Sequence, residues 1–288
     1  MKPSDFADSD DRQPVFQVDA FTDKPFAGNP AAVCVSTTPL DDALMQQIAA
    51  EMNLSETAFL YPLEGDGDPL EGDGNYSLRW FTPAAEIALC GHATLASAHI
   101  LWTEGYLSKE ITARFQTQSG ELLASCHGDL IQMDFPAQPV HDAPISPGMV
   151  AAMNHADIVH GSRNDVNYLV ELRSHQAVAN LTPDLDKIAK LPYQGVIVTS
   201  AGEAPYDFIS RYFVPAMGIP EDPVTGSSHC SLGPYWQAKL GKDKMLAYQA
   251  SARGGELHIE CTPERILISG QAVTVMQGEL FLAQFGRL

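Results

Sequence analysis

From Val15 to Phe21 apolar and polar residues alternate with the period of a β-strand. The turn Ala27-Gly28-Asn29-Pro30 follows, and Ala31 to Val35 reads as a buried strand. The spacing then changes. Asp41 is placed to cap a helix whose apolar face is Leu44, Met45, Ile48 and Met52. After Asn53-Leu54-Ser55 the stretch Glu56 to Tyr61 is a strand again. Further strands are predicted at Arg114 to Thr117, Glu121 to Cys126 and Leu130 to Phe135, with His127-Gly128-Asp129 as a hairpin turn. Thr182-Pro183-Asp184 opens a short helix through Ile188, and Gly195 to Thr199 is a strand. Beyond it, Arg253-Gly254-Gly255 and Ser269-Gly270-Gln271 separate short strands that run to the end.

One pattern occurs twice. Arg79-Trp80-Phe81-Thr82-Pro83-Ala84 returns 132 residues later as Arg211-Tyr212-Phe213-Val214-Pro215-Ala216. Carried on without a gap, the same offset pairs Ile87 with Ile219 and Cys90 with Asp222. Each copy is a strand and a Pro turn, leading through a tight turn into a helix of small residues, Ala93 to Trp102 or Ser228 to Leu240. Those helices are apolar on most sides, which suits a position inside something. The pattern predicts an α+β fold of two similar halves, each with strands wrapped around a central helix. The halves are expected over residues 14–136 and 148–288, joined by a proline-rich linker at 137–147, with the final strand able to cross to the first half.

Composition narrows the function. Seventeen Lys and Arg face thirty-six Asp and Glu, a formal net charge of −19. Nucleic acid and anionic membrane surfaces need a basic face, so neither is an expected partner. Residues 1–13 are polar and acidic and read as a disordered tail, with no signal peptide. No apolar run reaches the roughly 18 residues of a membrane helix. The five cysteines are scattered without C-x-x-C spacing, as for reduced thiols in the cytoplasm, and no zinc site is expected. The acidic loop Gly65 to Asn75 lacks the glycine and ligand spacing of a calcium loop and reads as solvated. Nucleotide, P-loop, serine-hydrolase and zincin motifs are absent from the sequence.

Acids and bases at turns remain. Glu56 opens a strand of apolar residues, His92 stands at the first helix start and Asp222 at the second. Singly, each is as readily a cap or a solvated side chain. Together they suit proton transfer beside a carboxylate held on the free N–H groups near Gly91 and Gly226-Ser227. Neither a metal nor a redox cofactor is expected.

Four motifs carry a family resemblance: Phe21 to Val33 around Gly28-Asn29-Pro30, Leu54-Ser55-Glu56-Thr57-Ala58-Phe59, Cys90-Gly91-His92-Ala93-Thr94, and Glu221-Asp222-Pro223-Val224-Thr225-Gly226-Ser227. In this order they resemble the phenazine-biosynthesis PhzF-like isomerases, over nearly the whole chain. The resemblance implies the diaminopimelate-epimerase-like fold: two pseudo-symmetric halves, each a mixed β-barrel around a central helix, with the active site between them. It implies Glu56 as proton shuttle, His92 and Asp222 as its catalytic companions, and Asn29, Gly91, Gly226 and Ser227 as substrate-binding residues. The expected activity is a cofactor-independent isomerisation of a small carboxylate, cyclic or amino-acid-like. Two alternatives stand beside it: an amino-acid epimerase using Cys90 and Asp222, and a non-catalytic carboxylate-binding protein. A second copy of the chain is the one macromolecular partner left open.

Overall fold

The computed structural model describes residues 12–63 and 74–282. The acidic loop lies outside the described residues except for Gly74 and Asn75, and so do residues 1–11 of the expected tail. Arg12 and Gln13, counted with that tail, open the first strand instead. Their partners are remote in sequence: Arg12 pairs with Glu279, and the buried Gln13 amide donates to the Val35 carbonyl.

The chain runs β1 (Arg12–Ala20), β2 (Asn29–Val35), α1 (Asp42–Met52), β3 (Glu56–Pro62), β4 (Asn75–Phe81), β5 (Glu86–Ile87), α2 (Gly91–Thr103), β6 (Ala113–Thr117), β7 (Gly120–His127) and β8 (Leu130–Pro136). It continues through β9 (His141–Asp142), α3 (Pro147–Ala152), β10 (Ile158–Arg163), β11 (Asn167–Leu172), α4 (His175–Ala179), α5 (Leu185–Ile188), β12 (Gly195–Ala201), β13 (Phe208–Val214) and β14 (Ile219–Asp222). It ends with α6 (Gly226–Leu240), β15 (Lys244–Gln249), β16 (Gly255–Cys261), β17 (Arg265–Gly270) and β18 (Ala272–Phe281). Among the described residues no helix is long and apolar enough to cross a membrane.

Two compact units divide the chain. The first takes the described residues up to Asp134 and those from Gly270 on, the second Phe135–Ser269. The stretch 137–147 is therefore built into the second unit rather than spanning between two. It carries β9, and Ser146 caps α3 with Pro147 in the first turn. The final strand, β18, lies antiparallel to β1.

Strand pairing repeats from unit to unit. In the first, β1–β2 is antiparallel, β2–β3 parallel, β3–β4 antiparallel and β4–β6 parallel, before the antiparallel run β6–β7–β8. In the second, β10–β11, β11–β12, β12–β13, β13–β15 and β15–β16–β17 follow the same sequence of senses. The short strands β5 and β14 return on β4 and β13 in the same way.

Each unit holds its central helix inside its strands. In α2 all of Leu95, Ile100, Leu101 and Trp102 are buried, each worth roughly 1.5–3 kcal/mol of transfer from water. The hydroxyls of Thr94 and Ser97 bond back to the carbonyls of Cys90 and Ala93, so they need no other partner inside the unit. In α6, Gly233 leaves room for Cys261 and Ile259: an added Cβ would stand 3.1 Å from the Cys261 sulfur. On the opposite face of the first sheet, Met45, Ile48 and Ala49 of α1 pack on Cys34, Phe59 and Phe81. Asp41 caps that helix as its sequence predicts, and Asn53 ends it in the left-handed region at φ 50°.

The repeated arginine is a structural device. Arg79 makes a two-pronged pair with Glu86 at 2.7 and 2.8 Å, and Arg211 makes the same pair with Glu221 at 2.7 and 2.8 Å. Each guanidinium also lies over the second aromatic of its repeat, Phe81 or Phe213. The partner glutamate follows after seven residues in the first unit and ten in the second. Three additional residues in the second turn shift the offset from 132 to 135. The gapless pairing of Cys90 with Asp222 is thereby corrected: the residue that caps α6, as Cys90 caps α2, is Thr225.

Two predictions follow from these contacts. Arg211 also donates to the Leu181 carbonyl at 2.6 Å, whereas the further partner of Arg79 is the exposed Asp42. Lysine cannot form the fork. Arg211→Lys is expected to lower stability by about 2 kcal/mol and Arg79→Lys by about 1 kcal/mol in urea unfolding; equal losses would refute the ranking. Each central helix also carries a histidine turned toward the interior, His99 half-buried in α2 and His229 buried in α6. Burial pushes both down to about 4, with Lys109 adding to the effect at His99 and the Thr225 carbonyl opposing it at His229. The unfolded chain takes up protons here first, so this stability is full above pH ~6.5 and is lost as pH falls toward 4. His229→Gln is expected to reduce the fall in stability between pH 6.5 and 5, and an unchanged slope would count against it.

Candidate active site

In the first unit, four side chains meet at the start of α2. The parallel register of β2 and β3 sets Ala31 against Glu56 and places the carboxylate at the beginning of its strand. The loop before β2 turns tightly, with Phe26 at φ 68° and Gly28 at φ 63°. At Gly28 a Cβ would stand 2.1 Å from the Ala20 carbonyl oxygen, so only glycine fits. That turn delivers Asn29 to His92, in the first turn of α2: Asn29 Nδ2 lies 3.1 Å from His92 Nδ1. Cys90 Sγ approaches the same nitrogen at 3.4 Å. On the other side of the ring, His92 Nε2 is 3.1 Å from Glu56 Oε2.

Asn29, Cys90 and His92 are buried, and Glu56 is 9% exposed. The Glu56–His92 contact is close, yet neither Glu56 Oε2 nor His92 Nε2 completes a hydrogen bond. A buried imidazole and a carboxylate at this distance are placed to exchange a proton with a group set beside them. Burial lowers the His92 pKa, but the sulfur of Cys90 and the carboxylate of Glu56 outweigh it, so the ring is raised well above its usual value. With Asn29 Nδ2 toward the ring, Nδ1 must be an acceptor; a fully protonated ring is served once that amide turns over to present its oxygen. At neutral pH the Glu56 carboxylate, 3.1 Å away in a buried site, is the neighbour that favours the charged ring. Cys90 itself is pushed up to about 11, by burial first and then by Glu56, so its thiol keeps its proton at neutral pH.

Glu56, Cys90 and His92 each offer an atom within 4.8 Å of the others. A carboxylate, a thiol and an imidazole are a donor set that suits zinc. Their closest approaches are to opposite ring nitrogens, Cys90 Sγ to Nδ1 at 3.4 Å and Glu56 Oε2 to Nε2 at 3.1 Å.

The second unit holds its own cluster. Strand β14 ends at Asp222 opposite Tyr212, and the chain turns through Pro223 into Thr225, the cap of α6. The Thr225 hydroxyl donates a short hydrogen bond to Asp222 Oδ2. Gly226 and Ser227 form the first turn of the helix, Gly226 buried and Ser227 exposed. Gly91 and His92 occupy the same two positions of α2, half-buried and buried. Of the seven predicted site residues, Asn29, Glu56, Gly91 and His92 thus gather in the first unit, and Asp222, Gly226 and Ser227 in the second. Sequence reasoning missed Thr225 and also Gln249, the fully buried end of β15, whose amide holds both Asp222 and Thr225. A glutamine at a buried position of an alternating strand was the available signal.

The residues 18–278 match the phenazine biosynthesis-like protein family. An uncharacterized isomerase of Halalkalibacterium halodurans is 50% identical over 270 residues, covering 93% of this chain and 98% of the relative. A PhzF family protein of Enterococcus faecalis superposes with a TM-score of 0.88 at 41% identity, over 94% of this chain and all of that one. A hydroxyproline epimerase from Agrobacterium vitis, at 10% identity and a TM-score of 0.62 over 95% of this chain and 93% of its own, shares the fold alone. A match across nearly the full length and identities of this size place the chain in the phenazine biosynthesis-like PhzF family.

Proposed function

We propose that this protein is a cofactor-independent isomerase that moves a proton on a small carboxylate by acid–base catalysis through Glu56. The contact of Glu56 Oε2 with His92 Nε2, 3.1 Å across a nearly dry site, carries the reading. Glu56 takes the proton from carbon and returns it to another position. A charged His92 stabilises negative charge developing on the substrate during the step. Asp222 assists proton transfer, and Asn29, Gly91, Gly226 and Ser227 hold the substrate. The free N–H groups at the start of a helix favour a carboxylate there. The isomerase name of the Halalkalibacterium halodurans relative supports the reaction class.

The epimerase alternative finds less support. Its thiol, Cys90, is buried and held protonated, and the matching helix cap is Thr225, whose hydroxyl is a poor base. A pure binding role leaves the unsatisfied Glu56–His92 contact without a purpose.

A panel of small carboxylates incubated in deuterated water, scored by NMR for exchange at carbon, tests the proposal. Glu56→Gln keeps the shape but cannot take a proton, and exchange should fall by at least ~100-fold, with Glu56→Asp between it and the native rate. His92→Ala and Asp222→Asn should slow exchange and weaken binding together. Iodoacetamide should leave most of the activity, because a buried protonated thiol alkylates slowly. Near-native exchange in Glu56→Gln with loss of activity in Cys90→Ala would replace this reading by the epimerase.

A further inference from the structure

We infer that Gln249 is a positioning residue that fixes the direction of the hydrogen-bond chain ending on Asp222. The inference rests on the proposed role of Asp222 at the site. Gln249 is fully buried, and both ends of its amide are engaged. Its Oε1 accepts from the Thr225 backbone N–H at 2.9 Å. Its Nε2 donates to the Asp222 carbonyl at 2.8 Å and to Thr225 Oγ1 at 3.1 Å.

These contacts leave no choice of direction. A backbone N–H can only donate, so the amide oxygen must face Thr225 N and the amide nitrogen must face the hydroxyl. Nε2 then fills one lone pair of Thr225 Oγ1, and the hydroxyl hydrogen is directed to its other close partner, Asp222 Oδ2. The chain therefore runs from amide to hydroxyl to carboxylate. It ends by donating to Asp222, which favours the ionised form and holds it in one rotamer.

The first unit provides an internal comparison. Counted from the shared arginines, Ser77–Gln116 of β4 and β6 matches Ile209–Tyr248 of β13 and β15, so the place of Gln249, beside Ser210, is taken in the first unit by Thr117. Thr117 is half-buried, and its hydroxyl donates to the Gly120 carbonyl at 2.6 Å, within its own hairpin. Neither Cys90 nor Thr225 makes a capping bond with its side chain, so the amide of Gln249 is not needed to complete a helix cap. The fold is thus built once without this buried amide. Its presence in the second unit follows Asp222.

The test is a carboxyl-carbon NMR titration of the full chain with labelled aspartate, the Asp222 signal being assigned by its loss in Asp222→Asn. Gln249→Glu keeps an oxygen for Thr225 N–H but removes the donor to the hydroxyl, and Thr225→Val removes the hydroxyl. Each is expected to move the Asp222 midpoint up by about one pH unit, a tenfold change in its acid equilibrium, while Thr225→Ser keeps the native midpoint. An unmoved midpoint in Thr225→Val or in a folded Gln249→Glu, with only thermal stability reduced, would make the network a structural cap and overturn the inference. Should Gln249→Glu fail to fold, Thr225→Val gives the same decision. A shifted midpoint combined with native carbon exchange in Asp222→Asn would uphold the network and overturn the proposed role of Asp222.

Discussion

A helix without a polar face has to be enclosed, and the first unit is arranged by that requirement. Burying α2 on all sides needs strands around it, and mixed pairing curls the sheet far enough to supply them. Enclosure also explains the residues of the helix. Glycine, alanine, serine and threonine keep it slim, and hydroxyls that bond to their own helix satisfy themselves without reaching outward. The same constraint sets α6 against β16 and β17, with Gly233 at the close approach.

A helix buried along its length still has two ends, and the candidate site residues gather at the first turn. Backbone N–H groups there have no helical acceptor, and the dipole is positive. In α2 that turn carries His92, and the loop fixed by Gly28 brings Asn29 to it from β2. Glu56 arrives from the neighbouring strand. Three elements distant in sequence thereby put a carboxylate and an imidazole at contact distance in a buried place, where charges interact more strongly than in water. Cys90 is drawn into the same cluster, but desolvation keeps it a thiol, so its sulfur lines the site without supplying a base.

The two units share a sequence of strand senses and have diverged at the helix start. The arginine fork persists in both, because it ties the return strand to the hairpin whatever the length of the turn between them. Three more residues in the second turn exchange a thiol cap for a threonine cap and place a carboxylate just before it. Duplication conserved the scaffold, and the turn lengths set which chemistry each unit presents.

By itself the sequence determined the local elements and the identity of the chemical groups. Alternation located most strands, Asp41 fixed the start of α1, and the Arg-aromatic-Phe repeat exposed the duplication. The motifs around Asn29, Glu56, His92 and Asp222 supplied the candidate site residues. Strands β9, β10 and β11 escaped notice, because proline-rich and polar stretches such as Ile158–Arg163 lack clean alternation and gain their stability from neighbours. Only the tertiary structure decided register. It joined β18 to β1, built residues 137–147 into the second unit, and moved the counterpart of Cys90 from Asp222 to Thr225. Strand pairing and arginine forks act between residues far apart in the chain, and no local pattern records a three-residue difference between two turns. Gln249 belongs to the same class: its residue type was visible, but the atoms it joins come together only when β15 lies beside the start of α6.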